Sequence, residues 1–365
     1  MSRESAFAGA DAVRLAVGMA RKQVRTMEEF AASVGISRPT ASKYFQDPSS
    51  VRAKVREKIE AGLAATAFRP NLFAVNLKRR RSKIIGLIFP SSLDSFYMGL
   101  RRRIETEAAQ AGYLPFVFSS DGKAESEAEA LRTLTSLNVA GVIMASVGGD
   151  SRHRDKVKTL ARNVPIVFID APFDAEEAFI GTNNAQSMAL ITDYLTRFED
   201  KPCYFDMPWV NSNAHERRES YVATMRRRGL EPVVIPLEPT TTWEFERTAY
   251  EQTKRVLREG GFPTKIVLCG NDRVAFGVLA AIHQAGLKVG IDPSCDLRVA
   301  GHDNQPLSEY IWPPLTTVSQ NTAEMGRLAI NLLLSRLDNS HVFDEPRTRG
   351  EHILVNAELV LRSSA

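Results

Sequence analysis

Apolar residues near the start of the chain recur at helical spacing; beyond residue 83 they gather into short runs separated by helical stretches. Met27, Phe30, Ala31 and Val34 form an i, i+3, i+4, i+7 stripe. Thr26 stands before it with Glu29 three residues on, the spacing of a capping box. Gly35 ends that helix and Ile36 is the apolar plug of a tight turn. Ser37 caps a second helix reaching Phe45, with Pro39 in its first turn, where proline is tolerated. Asp47-Pro48-Ser49-Ser50 breaks the chain. A third helix follows from about Arg52 to Ala65, whose Val55, Ile59 and Leu63 close a three-helix core. Two short helices joined through a glycine turn predict a helix-turn-helix, whose second helix enters the major groove. On it, Arg38, Thr40, Ser42 and Lys43 can donate to base edges or phosphates.

The rest of the chain alternates. Ile84–Phe89, Leu114–Phe118, Val142–Ala145 and Ile166–Ile169 read as strands. So do Pro202–Asp206, Val233–Pro236, Ile266–Leu268 and Leu297–Ala300. Between them lie periodic helices at Tyr97–Ala111, Ala124–Leu137, His215–Arg228, Trp243–Glu259 and Val274–Ala285. This alternation predicts parallel sheets wrapped by helices, in two groups of about four strands with a cleft where the strand-end loops converge. The fold class expected is α/β: an all-α head, then a two-lobed domain with parallel sheets.

Composition narrows the classes. The chain has 365 residues and is 44% hydrophobic, enough for a sizeable core. No apolar run approaches the ~18 residues of a membrane span. Asp11, Arg14 and Arg21 interrupt the Ala-rich start, so a cytoplasmic protein without membrane contact is expected. Three scattered cysteines give neither a disulfide framework nor a zinc set. The net charge of +4 is uneven: residues 1–82 hold 16 Lys and Arg against 7 Asp and Glu, the remainder 31 against 36. A basic head on a mildly acidic body suits a phosphate-binding module joined to a sensor.

Pro70 stops the third helix, Asn71 can cap a short helix to about Lys78, and four cations follow at 78–81. An apolar wedge beside a basic run fits the minor groove. From Met27 to Arg81 the order is helix, Gly-Ile-Ser turn, recognition helix, Val-Arg-Ala-Lys-Val-Arg-Glu-Lys-Ile, Arg-Pro-Asn junction and Ala-x-x-Leu hinge. This stretch resembles the DNA-binding head of the LacI/GalR family of transcriptional regulators. The resemblance implies that Arg38, Pro39 and Lys43 read bases, and that Ser37, Thr40, Ser42 and Asn71 contact phosphate or backbone. It implies that Ala74 and Lys78 belong to the hinge helix, with Leu77 as the minor-groove wedge. Pro39 replaces a residue that usually hydrogen-bonds, and Lys43 an arginine with its fork of donors.

The resemblance extends through Ile-Ile-Gly-Leu-Ile-Phe-Pro, Gly-Asn-Asp-Arg-Val-Ala-Phe-Gly, Val-Ala-Gly-His-Asp-Asn and Trp-Pro-Pro-Leu-Thr-Thr-Val-Ser-Gln-Asn, and implies a periplasmic-binding-protein-like sensor. By position it implies effector-binding roles for Asp94, Phe96, Asn183, Arg217, Asn271, Asp272, Asp303 and Gln320. Arg217 holds the arginine position of Glu-Arg-x-x-x-Tyr, a fork for adjacent hydroxyls or a carboxylate. Asp272 is read alternatively as a cap of the helix after it. Trp209, Phe173 and Trp243 are stacking candidates or core. Asn183 replaces a common aspartate, and Ser220 the usual glycine.

The boundaries expected are an extension at 1–22, the helix-turn-helix at 23–68, a hinge and basic linker at 69–82, and an effector-binding and dimerisation domain at 83–365. Lobe 1 takes about 83–184 and 319–345, lobe 2 about 185–318 and 346–365. No nucleophile elbow, Walker loop, zinc-spaced histidine pair or dinucleotide fingerprint occurs, so no enzyme, cofactor or metal is expected. The function expected is a repressor that binds double-stranded DNA at a near-palindromic operator as a homodimer, controlled by a small sugar-like effector. No heptad tail follows Val360, which favours dimer over tetramer. The alternatives are a DNA-binding regulator without ligand control and a solute-binding protein for transport.

Overall fold

The computed structural model describes residues 24–66, 68–71, 82–162, 164–197, 201–238, 240–338 and 350–365. The chain divides into two compact units, with the boundary between Ser82 and Lys83.

In the first unit, α1 (Met27–Val34), α2 (Arg38–Gln46) and α3 (Ala53–Thr66) make a small helical domain. The capping box forms: Glu29 N–H donates to Thr26 Oγ1 and Thr26 N–H to the Glu29 carboxylate, both at 3.1 Å. Gly35 ends α1 at φ 69°, a left-handed conformation that costs glycine little. Ser37 caps α2, accepting from Thr40 N–H at 3.3 Å. Phe30, Ala41, Tyr44 and Ile59 are buried, with Val55 and Leu63 half-buried around them. Phe68 joins this core from beyond α3, its ring stacked on Phe30 at 4.6 Å between centroids.

In the second unit, two parallel sheets stand side by side. The first runs β11-β5-β4-β3-β1-β2, built from β1 (Ile84–Phe89), β2 (Leu114–Ser119), β3 (Gly141–Met144), β4 (Ile166–Ile169), β5 (Ala178–Thr182) and β11 (His352–Val355). Its helices are α4 (Ser95–Gln110), α5 (Ala124–Ser136), α6 (Ser151–Ala161) and α11 (Thr322–Asp338). The second runs β7-β6-β8-β9, from β6 (Pro202–Phe205), β7 (Val233–Ile235), β8 (Ile266–Cys269) and β9 (Arg298–Ala300). Around it lie α7 (Asn184–Leu195), α8 (Ser212–Arg227), α9 (Phe245–Arg258) and α10 (Asp272–Gln284). β1, β3, β4, β6 and β8 are buried throughout, as strands covered on both faces must be. β10 (Thr317–Ser319) and β12 (Glu358–Val360) form a separate antiparallel pair.

Two expectations need correction. The first sheet has six strands where about four were expected, because β5 and β11 extend it. And residues 346–365 do not all belong to lobe 2: His352–Val355 pairs in parallel with Phe179–Thr182 of lobe 1. The pairing spans some 170 residues of chain, which local periodicity cannot register. The chain therefore passes between lobes after β5, after β10 and again after β11.

In each sheet the first strand lies inside, β1 between β2 and β3 and β6 between β7 and β8. The crossover direction reverses there, opening a crevice at the carboxyl ends of the strands. The loops after β1, β4, β6, β8 and β9 converge on it.

Candidate functional site

The head offers a polar face. Ser37, Arg38, Pro39 and Lys43 are exposed on α2 and its cap, while Thr40 and Ser42 are half-buried. Arg38 pairs with Glu28 of α1 at the exposed surface. Ser37 and Thr40 also share a hydroxyl hydrogen bond at 2.8 Å. Asn71 is exposed beyond α3; Ala74, Leu77 and Lys78 lie outside the described residues.

A cleft in the second unit opens to solvent where the strand-end loops meet. Six expected residues line it: Asp94, Phe96, Arg217, Asn271, Asp303 and Gln320. Asp94 caps α4, accepting from Phe96 N–H at 2.9 Å, and Asn271 caps α10, accepting from Val274 N–H at 2.8 Å. Arg217 donates through Nε to Asn184 at 3.2 Å and through Nη1 to the Gly270 carbonyl at 3.0 Å, and Nη1 lies 3.1 Å from Asp303 Oδ1. Gln320 Nε2 donates to the same Asp303 oxygen at 2.7 Å, and its amide oxygen accepts from Thr182.

Two expected residues face elsewhere. Asn183 caps α7, accepting from Gln186 N–H, and donates to Asn356 at 3.1 Å; it does not line the cleft. Asp272 is fully buried and its carboxylate is spent: it accepts from Gln305 N–H (2.8 Å), Ser308 Oγ (2.6 Å) and Thr317 Oγ1 (2.6 Å). It ties α10 to the loops that follow β9; Asn271 is the cap. Phe173 stacks on Phe168 inside lobe 1, and Trp209 is half exposed with its edge towards His215. Trp243 does line the cleft. Ser220 bonds back to the Glu216 carbonyl within α8 at 2.6 Å.

Reading by position missed Asp170, Tyr97, Asn211 and Asn213 in the lining. Asp170 accepts from Tyr97 Oη (2.8 Å), Asn211 Nδ2 (3.3 Å) and Asn213 Nδ2 (3.0 Å). Its φ of 73° is rare for a non-glycine residue. An acid directly after the apolar run Ile-Val-Phe-Ile was the available signal, because strand ends meet at the crevice.

Burial governs the charges. Desolvation pushes the Asp170 carboxyl up to about 6, against the Tyr97 hydrogen bond and the Arg217 charge. Asp272 also rises to about 6, through burial and then the Asp303 charge. Burial would raise Asp303 too, but Arg217, His302 and Gln320 bring it below the ordinary carboxylate range. His302 falls to about 4 through burial and the Arg217 charge, so it is neutral between Asp303 (3.0 Å) and Ser187 (2.9 Å). Among the described residues no group of three or more His, Cys, Asp or Glu is placed to hold a metal ion, and no helix is long and apolar enough to cross a membrane.

The family model of the periplasmic binding protein-like domain matches residues 203–365. The ribose operon repressor of Escherichia coli K12 is 29% identical over 342 residues, covering 93% of this chain and 99% of the repressor. The HTH-type transcriptional repressor CytR of the same strain is 27% identical over 351 residues, 94% of this chain and 98% of CytR. The crystal structure of the lac repressor dimer bound to operator and the anti-inducer ONPF aligns with a TM-score of 0.78 at 25% identity, over 93% of this chain and 98% of that one. A helix-turn-helix head followed by a periplasmic-binding-protein-like body defines a class of regulators. The chain is similar over more than nine-tenths of its length to these transcriptional repressors, and it has the helix-turn-helix head and periplasmic-binding-protein-like body that the LacI/GalR resemblance implies.

Proposed function

We propose that the protein is a repressor that acts in the cytoplasm, binding a near-palindromic operator as a homodimer and releasing or tightening its hold when an effector enters the cleft. The observation that carries this is the pairing, in one chain, of an exposed polar α2 with a buried polar cleft. Arg38, Pro39 and Lys43 face bases, and Ser37, Thr40, Ser42 and Asn71 hold phosphate. Ala74, Leu77 and Lys78 form the hinge, Leu77 parting a base step. Arg38 must exchange Glu28 for DNA, a small cost because exposed ion pairs are weak. No catalytic step is assigned to the cleft.

Six residues remain from the expected effector set: Asp94, Phe96, Arg217, Asn271, Asp303 and Gln320, now joined by Asp170 and Trp243. Arg217 Nη2, Asn271 Nδ2 and Asp303 Oδ2 have no partner among the described residues. Two donors beside a carboxylate suit neighbouring hydroxyls, and the aromatic faces suit the apolar side of a sugar ring. Of the three carboxylates in the lining, Asp94 and Asp303 are paired with arginines, which leaves no surplus positive charge to hold an anion. The effector class is therefore an uncharged polyhydroxy ring. D-ribose is the first compound to try, because the ribose operon repressor is among the relatives.

Gel-shift titration against the region upstream of the chain's own gene tests the head; binding without sequence preference or salt dependence would sink the reading. Thermal shift with D-ribose, other neutral sugars and D-ribose 5-phosphate tests the cleft. A neutral sugar should raise the melting temperature and the phosphate should not. A response to the phosphate alone would reject the effector class.

A further inference from the structure

The guanidinium of Arg273, at the start of α10 in lobe 2, is fixed from its own side. Its Nε and Nη2 donate to the two Glu246 oxygens at 2.6 and 2.7 Å, and Nη2 also donates to the Trp243 carbonyl at 3.1 Å. Its carbon lies 4.8 Å from the centre of the Phe245 ring. Nη1 is left to cross to lobe 1, where it meets Asp94 Oδ2 at 3.1 Å. Asp94 is fixed as well, its other oxygen bound to Phe96 N–H. Two further bonds cross beside the first, both at Gln305 of lobe 2: Ser95 Oγ donates to its Oε1 at 2.8 Å, and its Nε2 donates to Asp94 Oδ1 at 3.4 Å. Trp243 crosses nearby: a Cβ added to Gly122 of lobe 1 would stand 2.1 Å from its indole nitrogen. The Arg273 and Asp94 side chains are only 17% and 8% exposed, so this charge-assisted bond is little screened.

We propose that Arg273 is a positioning residue that latches lobe 2 to Asp94 of lobe 1, setting the fraction of sensors in the closed arrangement without itself touching the effector. Both ends of the bond are held by their own lobes, so opening breaks the bond while leaving each end oriented to remake it. Apparent effector affinity scales with the closed fraction, so Arg273 tunes sensitivity from outside the binding contacts. That consequence rests on the effector reading above; the latch itself does not.

The test measures lobe separation in the full chain by pulsed electron spin resonance. Spin labels go on Glu125→Cys of α5 and Glu251→Cys of α9, both exposed. The background is Cys295→Ser, and labelled chain is diluted with unlabelled chain. Arg273→Gln should raise the ratio of open to closed populations on the order of tenfold. Asp94→Asn should do the same, and the double variant should go no further. Arg218→Gln, which breaks a 3.0 Å ion pair to Asp206 within lobe 2, should change nothing. A distance distribution for Arg273→Gln that matches wild type would overturn the latch, as would additive effects in the double variant. If thermal melting shows that Arg273→Gln does not fold, Asp94→Asn alone decides on the same criterion. The measurement needs neither DNA nor effector, so a failed gel shift or a flat sugar panel leaves its outcome unaffected.

Discussion

The head and the cleft place their polar side chains in opposite situations. On α2 and its cap the side chains assigned to DNA are exposed or half-buried, and their bonds are few and local: Arg38 to Glu28, Ser37 to Thr40. In the cleft most polar groups are buried and already bonded to one another, from Tyr97 through Asp170 and Asn213 to Asn184, Arg217 and Asp303. A surface that meets a polyanion can leave cations in water until DNA arrives, since water satisfies them at little cost. A buried site cannot leave donors and acceptors unpaired, so most of its polar groups hold other polar groups in place and only a few remain for a ligand. Substitutions should therefore separate cleanly, with stability lost in the cleft and affinity lost in the head.

The largest effect is expected at Asp272. Alanine there strands Gln305 N–H, Ser308 Oγ and Thr317 Oγ1 in a buried site. Urea denaturation should show a loss of about 3–5 kcal/mol. A loss below 1 kcal/mol, with weakened effector binding instead, would return Asp272 to the ligand set.

Asp170 gives the next effect, and it depends on pH. Its folded pKa is raised by burial to about 6, above the ordinary 3.8. The folded state therefore holds the proton more tightly than the unfolded one between these values. The stability this gives is full below about pH 4 and lost as pH rises through 6. His302 acts oppositely, its pKa lowered to about 4, so its contribution is present above 6.5 and lost as pH falls. Comparing wild type with Asp170→Asn cancels the histidine. The stability of wild type relative to the variant should fall by roughly 3 kcal/mol from pH 4 to pH 7. A flat difference would mean that Asp170 does not titrate in this window.

The same contrast explains what could be read from sequence. The head was legible because its signals are local: Thr26 with Glu29, Gly35, and Ser37 with Pro39 each fix one cap or turn within a few residues. Phe68 was not, since it lies outside the three helices and reaches the core by stacking on Phe30. In the body, periodicity marked four strands of each sheet, but neither β5 nor β11, nor their pairing. For the cleft, the family resemblance supplied six of the residues that line it. It could not say that the carboxylate of Asp272 is spent or that Asn183 turns to Asn356, because both facts depend on partners far along the chain.

In the head, Arg38→Ala should weaken specific operator binding by about 1–3 kcal/mol while leaving the melting temperature unchanged. Lys43→Gln should lower the salt dependence of binding by about one counterion. Equal losses on specific and random DNA for Arg38→Ala would make it a phosphate contact and leave base reading to Lys43.

The smallest effect is expected at Asn183, where the two regions' rules can be told apart most finely. Its side chain caps α7 and bonds Asn356, both outside the lining of the cleft. Asn183→Ala removes one cap from a half-buried helix end, so stability should fall by about 1 kcal/mol. The response to a neutral sugar should stay within about threefold, because only an indirect shift of the crossing after β5 could reach the ligand. Asn183→Asp restores the cap acceptor but removes the donor to Asn356. If aspartate recovers the stability while effector affinity is constant across all three forms, the residue serves the crossover alone. If affinity follows the donor instead, the β5–α7 crossing is a moving part of the sensor, and Asn183 belongs with Arg273 among the residues that set closure from outside the binding contacts.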